Sequence, residues 1–133
     1  MENNYICPKC KGQLKVKKSV VLAAKTPSGE KGLIFLSPKI GDYHVTKHKD
    51  FEIKEGERLE LFCPICHENL EAKSLNKNLA KFLMRDKDNV DHDVLISEIA
   101  GEKCTYVIYK NHVDSFGKDA KHYVNFFGAG TDF

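Results

Sequence analysis

Four of the five cysteines come as two Cys-Pro-x-Cys turns, "CPKCKGQL" from Cys7 and "CPICHENL" from Cys63, each closed by a leucine at the same distance. In a Cys-x-x-Cys turn, backbone N–H groups point at the first sulfur and the second sulfur swings round to the same point. Each turn thus offers two thiolates to one ion. Pro8 and Pro64 fix φ near −65° (about the proline value) and remove an N–H that would lack a partner, which preorganises both turns. Together Cys7, Cys10, Cys63 and Cys66 make a four-thiolate set that satisfies tetrahedral zinc with sulfur at about 2.3 Å and leaves no open position for a substrate. One Zn2+ per chain is the expected cofactor. The other use of a CPxC pair, thioredoxin-like redox chemistry, needs a preceding βαβ strand and a following helix. Cys7 has six residues before it and Lys11-Gly12 does not start a helix, so metal binding is expected over the redox reading.

The two octapeptides resemble the knuckles of the zinc-ribbon and rubredoxin-like class, in which two turns at the tips of β-hairpins clamp one ion. The resemblance covers these octapeptides only, assigns Cys7, Cys10, Cys63 and Cys66 as the ligands, and implies a fold type without an activity. It departs from compact ribbons in its gap of 52 residues between Cys10 and Cys63, against about 15–20 in the common spacing. Apparent hairpins fill that surplus, which reads as a strand-rich insertion. Stretches such as "GEKCTYVIY" also resemble uncharacterised bacterial zinc-ribbon proteins. A four-cysteine set suits iron as well, giving a rubredoxin-like electron carrier. Rubredoxin-like knuckles usually carry Gly directly after the second cysteine, where this chain has Lys11 and His67, and zinc is therefore preferred.

Other chemistry-bearing residues have plainer readings. Cys104 in "KCTYVIY" is expected as a buried cysteine of a strand. His44 and His48 lie in an extended-looking stretch and do not share a helix face, and His67 is expected to face solvent. Asp91, His92 and Asp93 are neighbours on an expected strand, so successive side chains point to opposite faces and do not converge. No serine elbow, phosphate loop or HExxH motif occurs, and the expectation is a non-enzymatic protein.

Charge is uneven along the chain. Residues 1–49 hold ten lysines against Glu2, Glu30 and Asp42, a net of +7, while the remainder holds 11 basic and 16 acidic residues, a net of −5. A basic half can be a nucleic-acid footprint, with Lys9, Lys11, Lys15, Lys17 and Lys18 as its candidate contacts. The same lysines would also offset the local charge of four thiolates around one divalent zinc. The apolar runs "VVLAA" and "LIFL" fall short of the roughly 20 residues of a membrane span. The start "MENNYICPKC" has no apolar signal core, and a cytoplasmic setting with reduced thiols is expected.

The elements that must position the cysteines read as strands. "QLKVKKSVVLAAK" is extended, "TPSGEKG" is a turn, and "LIFLS" returns to complete a hairpin. "YHVT" and "FEIKEGERLELFC" read as short strands, with a turn at Glu55-Gly56 and Leu59 and Leu61 on one face. Beyond the second knuckle, Ala80, Phe82 and Met84 alternate into the turn "DKDN", Val94 and Ile96 alternate on the return, and "CTYVIYK" forms a further strand. Ala120, Tyr123, Val124 and Phe127 have helical spacing after Asp119 and predict a short terminal helix.

The expected fold is mainly β, a small α+β protein: a zinc ribbon with an enlarged hairpin insertion over 1–73, and a C-terminal β-meander with one short helix over 74–133, packed as one domain. The pair of knuckles is the only internal repeat read from the sequence. The expected role is a zinc-stabilised interaction or adaptor module for an unidentified protein partner, with nucleic-acid binding and iron electron transfer as alternatives and no membrane partner.

Overall fold

The computed structural model describes residues 4–40, 42–72, 78–109 and 112–119. Within them the chain forms ten strands: β1 (Asn4–Ile6), β2 (Lys15–Val16), β3 (Ser19–Lys25), β4 (Lys31–Leu36), β5 (Val45–Lys47), β6 (Glu60–Phe62), β7 (Leu79–Arg85), β8 (Asp91–Ser97), β9 (Thr105–Tyr109) and β10 (His112–Phe116). One sheet runs β1-β7-β8-β9-β10; the other runs β2-β3-β4-β5, with β6 also pairing to β3. Every ladder is antiparallel.

Alternation along the strands explains why the sheets face one another. Val20, Leu22 and Ala24 on β3, and Ala80, Phe82 and Met84 on β7, point into one shared core with Tyr5, Ile34, Leu61 and Val94. Burying a side chain of leucine size is worth about 1.5–3 kcal/mol, so this inward row fixes the register of both sheets. Tyr5 meets the Phe82 ring edge-on at 5.7 Å, joining β1 to β7. A second cluster, Leu79, Leu95, Cys104 and Tyr106, lies on the opposite side of the first sheet.

Both long hairpins turn in the same way. The Thr26 N–H donates to the Glu30 carbonyl and its hydroxyl accepts from the Glu30 N–H; Asp86 makes the same two contacts with Val90 through its N–H and carboxylate. Gly29 and Asn89 supply the left-handed residue at φ +93° and +62°, a region open to Gly and tolerated by Asn.

The fold class expected from the sequence needs correction. Among the described residues every regular element is a strand and none is a helix, so the protein is all-β there rather than α+β. The terminal helix expected at Ala120, Tyr123, Val124 and Phe127 lies outside the described residues. Just before it, "HVDSF" adds a fifth strand to the first sheet, because β9 presents a ladder edge that β10 completes from His112↔Tyr109 to Phe116↔Thr105. Two further differences are local. "QLKVKKSVVLAAK" is broken by a tight turn at Lys17, φ +54°, into β2 and β3. Phe51 and Ile53 lie outside any strand; Phe51 instead packs its ring over Gly32, where an added Cβ would come within 2.7 Å of it. No helix among the described residues is long and apolar enough to cross a membrane.

Candidate metal centre

The structure brings Cys7, Cys10, Cys63 and Cys66 together with all four sulfurs within 4.8 Å of one another. Cys7 and Cys66 Sγ lie 3.8 Å apart, as do Cys10 and Cys63 Sγ. Four sulfurs placed tetrahedrally at about 2.3 Å from one centre are separated by about 3.8 Å, so the donor set fits a single metal ion. Each knuckle contributes one buried sulfur, Cys7 or Cys63, and one nearer the surface, Cys10 or Cys66.

The two turns are built alike. The N–H groups of Lys9 and Cys10 point at Cys7 Sγ at 3.3 and 3.5 Å; those of Ile65 and Cys66 point at Cys63 Sγ at 3.3 and 3.4 Å. Such donors favour the thiolate over the thiol. The Cys7 N–H donates to the Gly12 carbonyl and the Cys63 N–H to the Glu68 carbonyl, closing each loop. Leu14 and Leu70 then anchor the exits: each is buried, and each donates its N–H to the entering strand, at the Tyr5 and Leu61 carbonyls.

Geometry also explains the residues after the second cysteines. Lys11 and His67 adopt φ of +62° and +66°, the left-handed turn for which glycine is the easy choice. The turn is therefore kept without the glycine. Gly12 is needed for another reason, since a Cβ there would meet Ile65 Cδ1 at 2.6 Å and Cys10 Sγ at 3.1 Å. Ile65, though more than half exposed, thus lies against the other knuckle.

Electrostatics oppose four bare thiolates in this space. Burial pushes the Cys63 thiol up to about 12. Burial also acts to raise Cys7, but the N–H groups of Cys10 and Lys9, helped by neighbouring thiols, bring it below its ordinary value. A cation would remove the mutual repulsion and allow all four to ionise.

The strand into the second knuckle is held by a buried ionic group. Arg58 reaches Glu71 at 2.7 Å and Glu98 at 3.1 Å, and Glu98 accepts the Leu61 N–H at 3.3 Å. The Glu98 side chain is fully enclosed, and burial pushes its carboxyl up to about 7 against the pull of Arg58. Nothing in the sequence around "ISEIAG" signals this; the partners are distant along the chain. A cavity of about 440 Å³ lies between the sheets, with Leu36, Ser37 and Asp42 on one side and Ile96, Ser97 and Glu102 on the other among its lining.

The remaining candidates do not converge. Lys9, Lys11, Lys17 and Lys18 are exposed on the first knuckle and the turn after β2, and Lys15 is half-buried on β2. Lys11 helps hold the Asp91 carboxyl below its usual range, after the larger effect of Arg85. His48 pairs with Asp50, and His67 is exposed. Asp91 pairs with Arg85 and Asp93 with Lys81, while His92 turns to Asp86 at 3.0 Å and stacks on Tyr109. Cys104 is buried, and that burial pushes its thiol up to about 12, which makes it unreactive. The comparisons with protein-family models, curated proteins and solved structures found no match.

Proposed function

We propose that the four cysteines hold one zinc ion as a closed structural centre, and that the protein is a non-enzymatic interaction module stiffened by that ion. The observation that carries the metal reading is the convergence of four sulfurs from two distant turns within 4.8 Å of one another, with two of the pairs at the 3.8 Å edge expected around one ion. A four-thiolate zinc site with no open position contributes folding energy rather than catalysis; structural zinc in small peptides is worth about 10–16 kcal/mol. The interaction role is supported by the exposed apolar side chains of Leu33 and Phe35 on β4 and of Ile65 beside the centre. The proposed partner is a protein, and the proposed setting is the reducing cytoplasm.

The test is elemental analysis of protein purified without added metal, with a visible spectrum of the same sample. The expected result is one zinc per chain and no colour. Iron with a sulfur-to-metal charge-transfer band would make the protein an electron carrier. The exposed Lys9, Lys11, Lys17 and Lys18 favour nucleic acid as the second partner class. That reading requires binding that weakens steeply with salt, by a slope that falls by about one for each phosphate-contacting lysine removed.

A further inference from the structure

The likeness of the two knuckles extends through most of the chain. In the first meander Val20 pairs with Leu36 and Ala24 with Gly32; in the second, Ala80 pairs with Ile96 and Met84 with His92, the same register 60 positions on. The next ladder repeats it: Ile34↔Lys47 and Leu36↔Val45 recur as Val94↔Val107 and Ile96↔Thr105. Irregular contacts follow suit. The Lys39 N–H donates to the Ser37 hydroxyl and Asp42 N–H to the Lys39 carbonyl, as Ile99 donates to Ser97 and Glu102 to Ile99. Before the meanders the displacement is 56, Cys7 to Cys63, and the longer passage from Ala72 to Leu79, against Val16 to Ser19, absorbs the difference.

The halves also trade their first strands. β1 pairs with β7 of the second half, Asn4↔Arg85 to Ile6↔Leu83, and β6 pairs with β3 of the first, Glu60↔Lys25 to Phe62↔Ala23. These are equivalent registers under the same displacements. The turn-proximal end of the first strand of each long hairpin, Ala23 to Lys25 and Leu83 to Arg85, therefore lacks an outer neighbour until the other half supplies a knuckle strand, while the opposite end pairs within its own half, Lys15↔Val20 and Glu71↔Ala80. The sulfur cluster and the inter-sheet cavity both sit on this seam, each drawing counterpart residues from the two halves.

We infer that the chain is two copies of one strand-exchanging unit, β1 to β5 and β6 to β9, fused in tandem, and that a second copy of the chain can supply the complementary half. The stretch joining the halves is anchored at both ends, Phe51 packing over Gly32 of the first half and Gly56, Glu57 and Leu59 hydrogen-bonding to Ala100 and Glu98 of the second, and Glu52, Lys54 and Glu55 between these anchors are exposed. Opening there lets two chains rebuild two seams, each with Cys7 and Cys10 from one chain and Cys63 and Cys66 from the other. Exchange of identical elements is a low-cost route to a dimer. The inference rests on the shared-metal reading of the four cysteines.

The experiment mixes two full-length variants, C7S/C10S and C63S/C66S, unfolded under reducing conditions and refolded together with cobalt(II). Neither can assemble four thiolates alone. The expected result is a tetrathiolate cobalt spectrum from the mixture only, in a species of twice the chain mass, at about one cobalt per two chains. The milder pair C7S and C63S, with three of the site's cysteines left in each chain, repeats the test should the double variants aggregate. Wild type refolded in parallel separates the two readings. Wild type that loads cobalt while both mixtures stay at the sum of their separate components would overturn the exchange; wild type that takes up no metal overturns the centre and the inference with it.

Discussion

The two halves of the molecule agree where they meet and differ where they do not. On the inward faces, Val20, Leu22 and Ala24 have Ala80, Phe82 and Met84 as counterparts, all buried. On the outward faces, Phe35 of β4 is 36% exposed while its counterpart Leu95 of β8 is fully enclosed in the cluster with Leu79, Cys104 and Tyr106. The edges differ as well: β9 carries β10, whereas β5 ends its sheet among the described residues. A shared core and a shared cysteine cluster constrain both halves together, and a change on one side of the seam must suit the other. The outer faces answer only to their own half. The exposed outer side of β4 is accordingly the face proposed to meet a partner.

The strongest test of that equivalence removes one ligand from each half in turn. Cys7→Ser and Cys63→Ser should both abolish stoichiometric zinc binding, and with it a stabilisation on the scale of about 10 kcal/mol known for structural zinc. Isothermal titration of the reduced proteins would show it; a variant keeping half the metal would mean that each knuckle binds its own ion. Next comes the contrast of outward faces. Leu95→Ala should cost about 2–5 kcal/mol in urea unfolding, the range for buried leucine, and Phe35→Ala well under that. Equal losses would contradict the asymmetry. The paired left-handed turns predict smaller, matched gains: Lys11→Gly and His67→Gly should each stabilise the metal-loaded protein by about 1 kcal/mol or less, seen as a rise in Tm. A loss in either would show that its side chain contributes more than its strained backbone costs.

A last contrast, in pH dependence, concerns Glu98, whose counterpart by position is Pro38, so that only the second half carries a buried carboxyl there. Burial raises its folded value from 4.5 to about 7. Its contribution is thus fully present below the ordinary carboxylate range and is lost as pH rises through about 7. Comparing wild type with Glu98→Gln at saturating zinc cancels the thiol contribution. The variant should gain on wild type in unfolding midpoint between pH 5 and 8; a gap that stays constant would leave Glu98 with no role in the pH dependence.

The clustering of the four cysteines was legible because Cys-Pro-x-Cys states its chemistry locally: two sulfurs, one turn, one missing N–H. The hairpins around Gly29 and Asn89 were legible for the same reason, as alternation and turn residues lie within one short window. The repeat was not. Its core positions share only apolar character, Leu22 against Phe82 and Ala24 against Met84, and the added residues before Leu79 spoil any fixed period. What read as an insertion within one ribbon is the body of the first unit. Strand exchange was equally hidden, because β1 finds its partner nearly eighty positions away at Met84 rather than next door. The all-β character of the second half was underestimated at β10, where "HVDSF" has weak strand propensity and is held by the edge of β9.

The central claim is that two distant turns close on one ion, and X-ray absorption at the metal edge of the purified protein, with the metal-to-chain ratio from the same sample, tests it most directly. The account predicts one zinc per chain with four sulfurs at about 2.3 Å and no nitrogen or oxygen in the shell. Two metals per chain, a mixed shell, or Cys7, Cys10, Cys63 and Cys66 recovered as disulfides would contradict it.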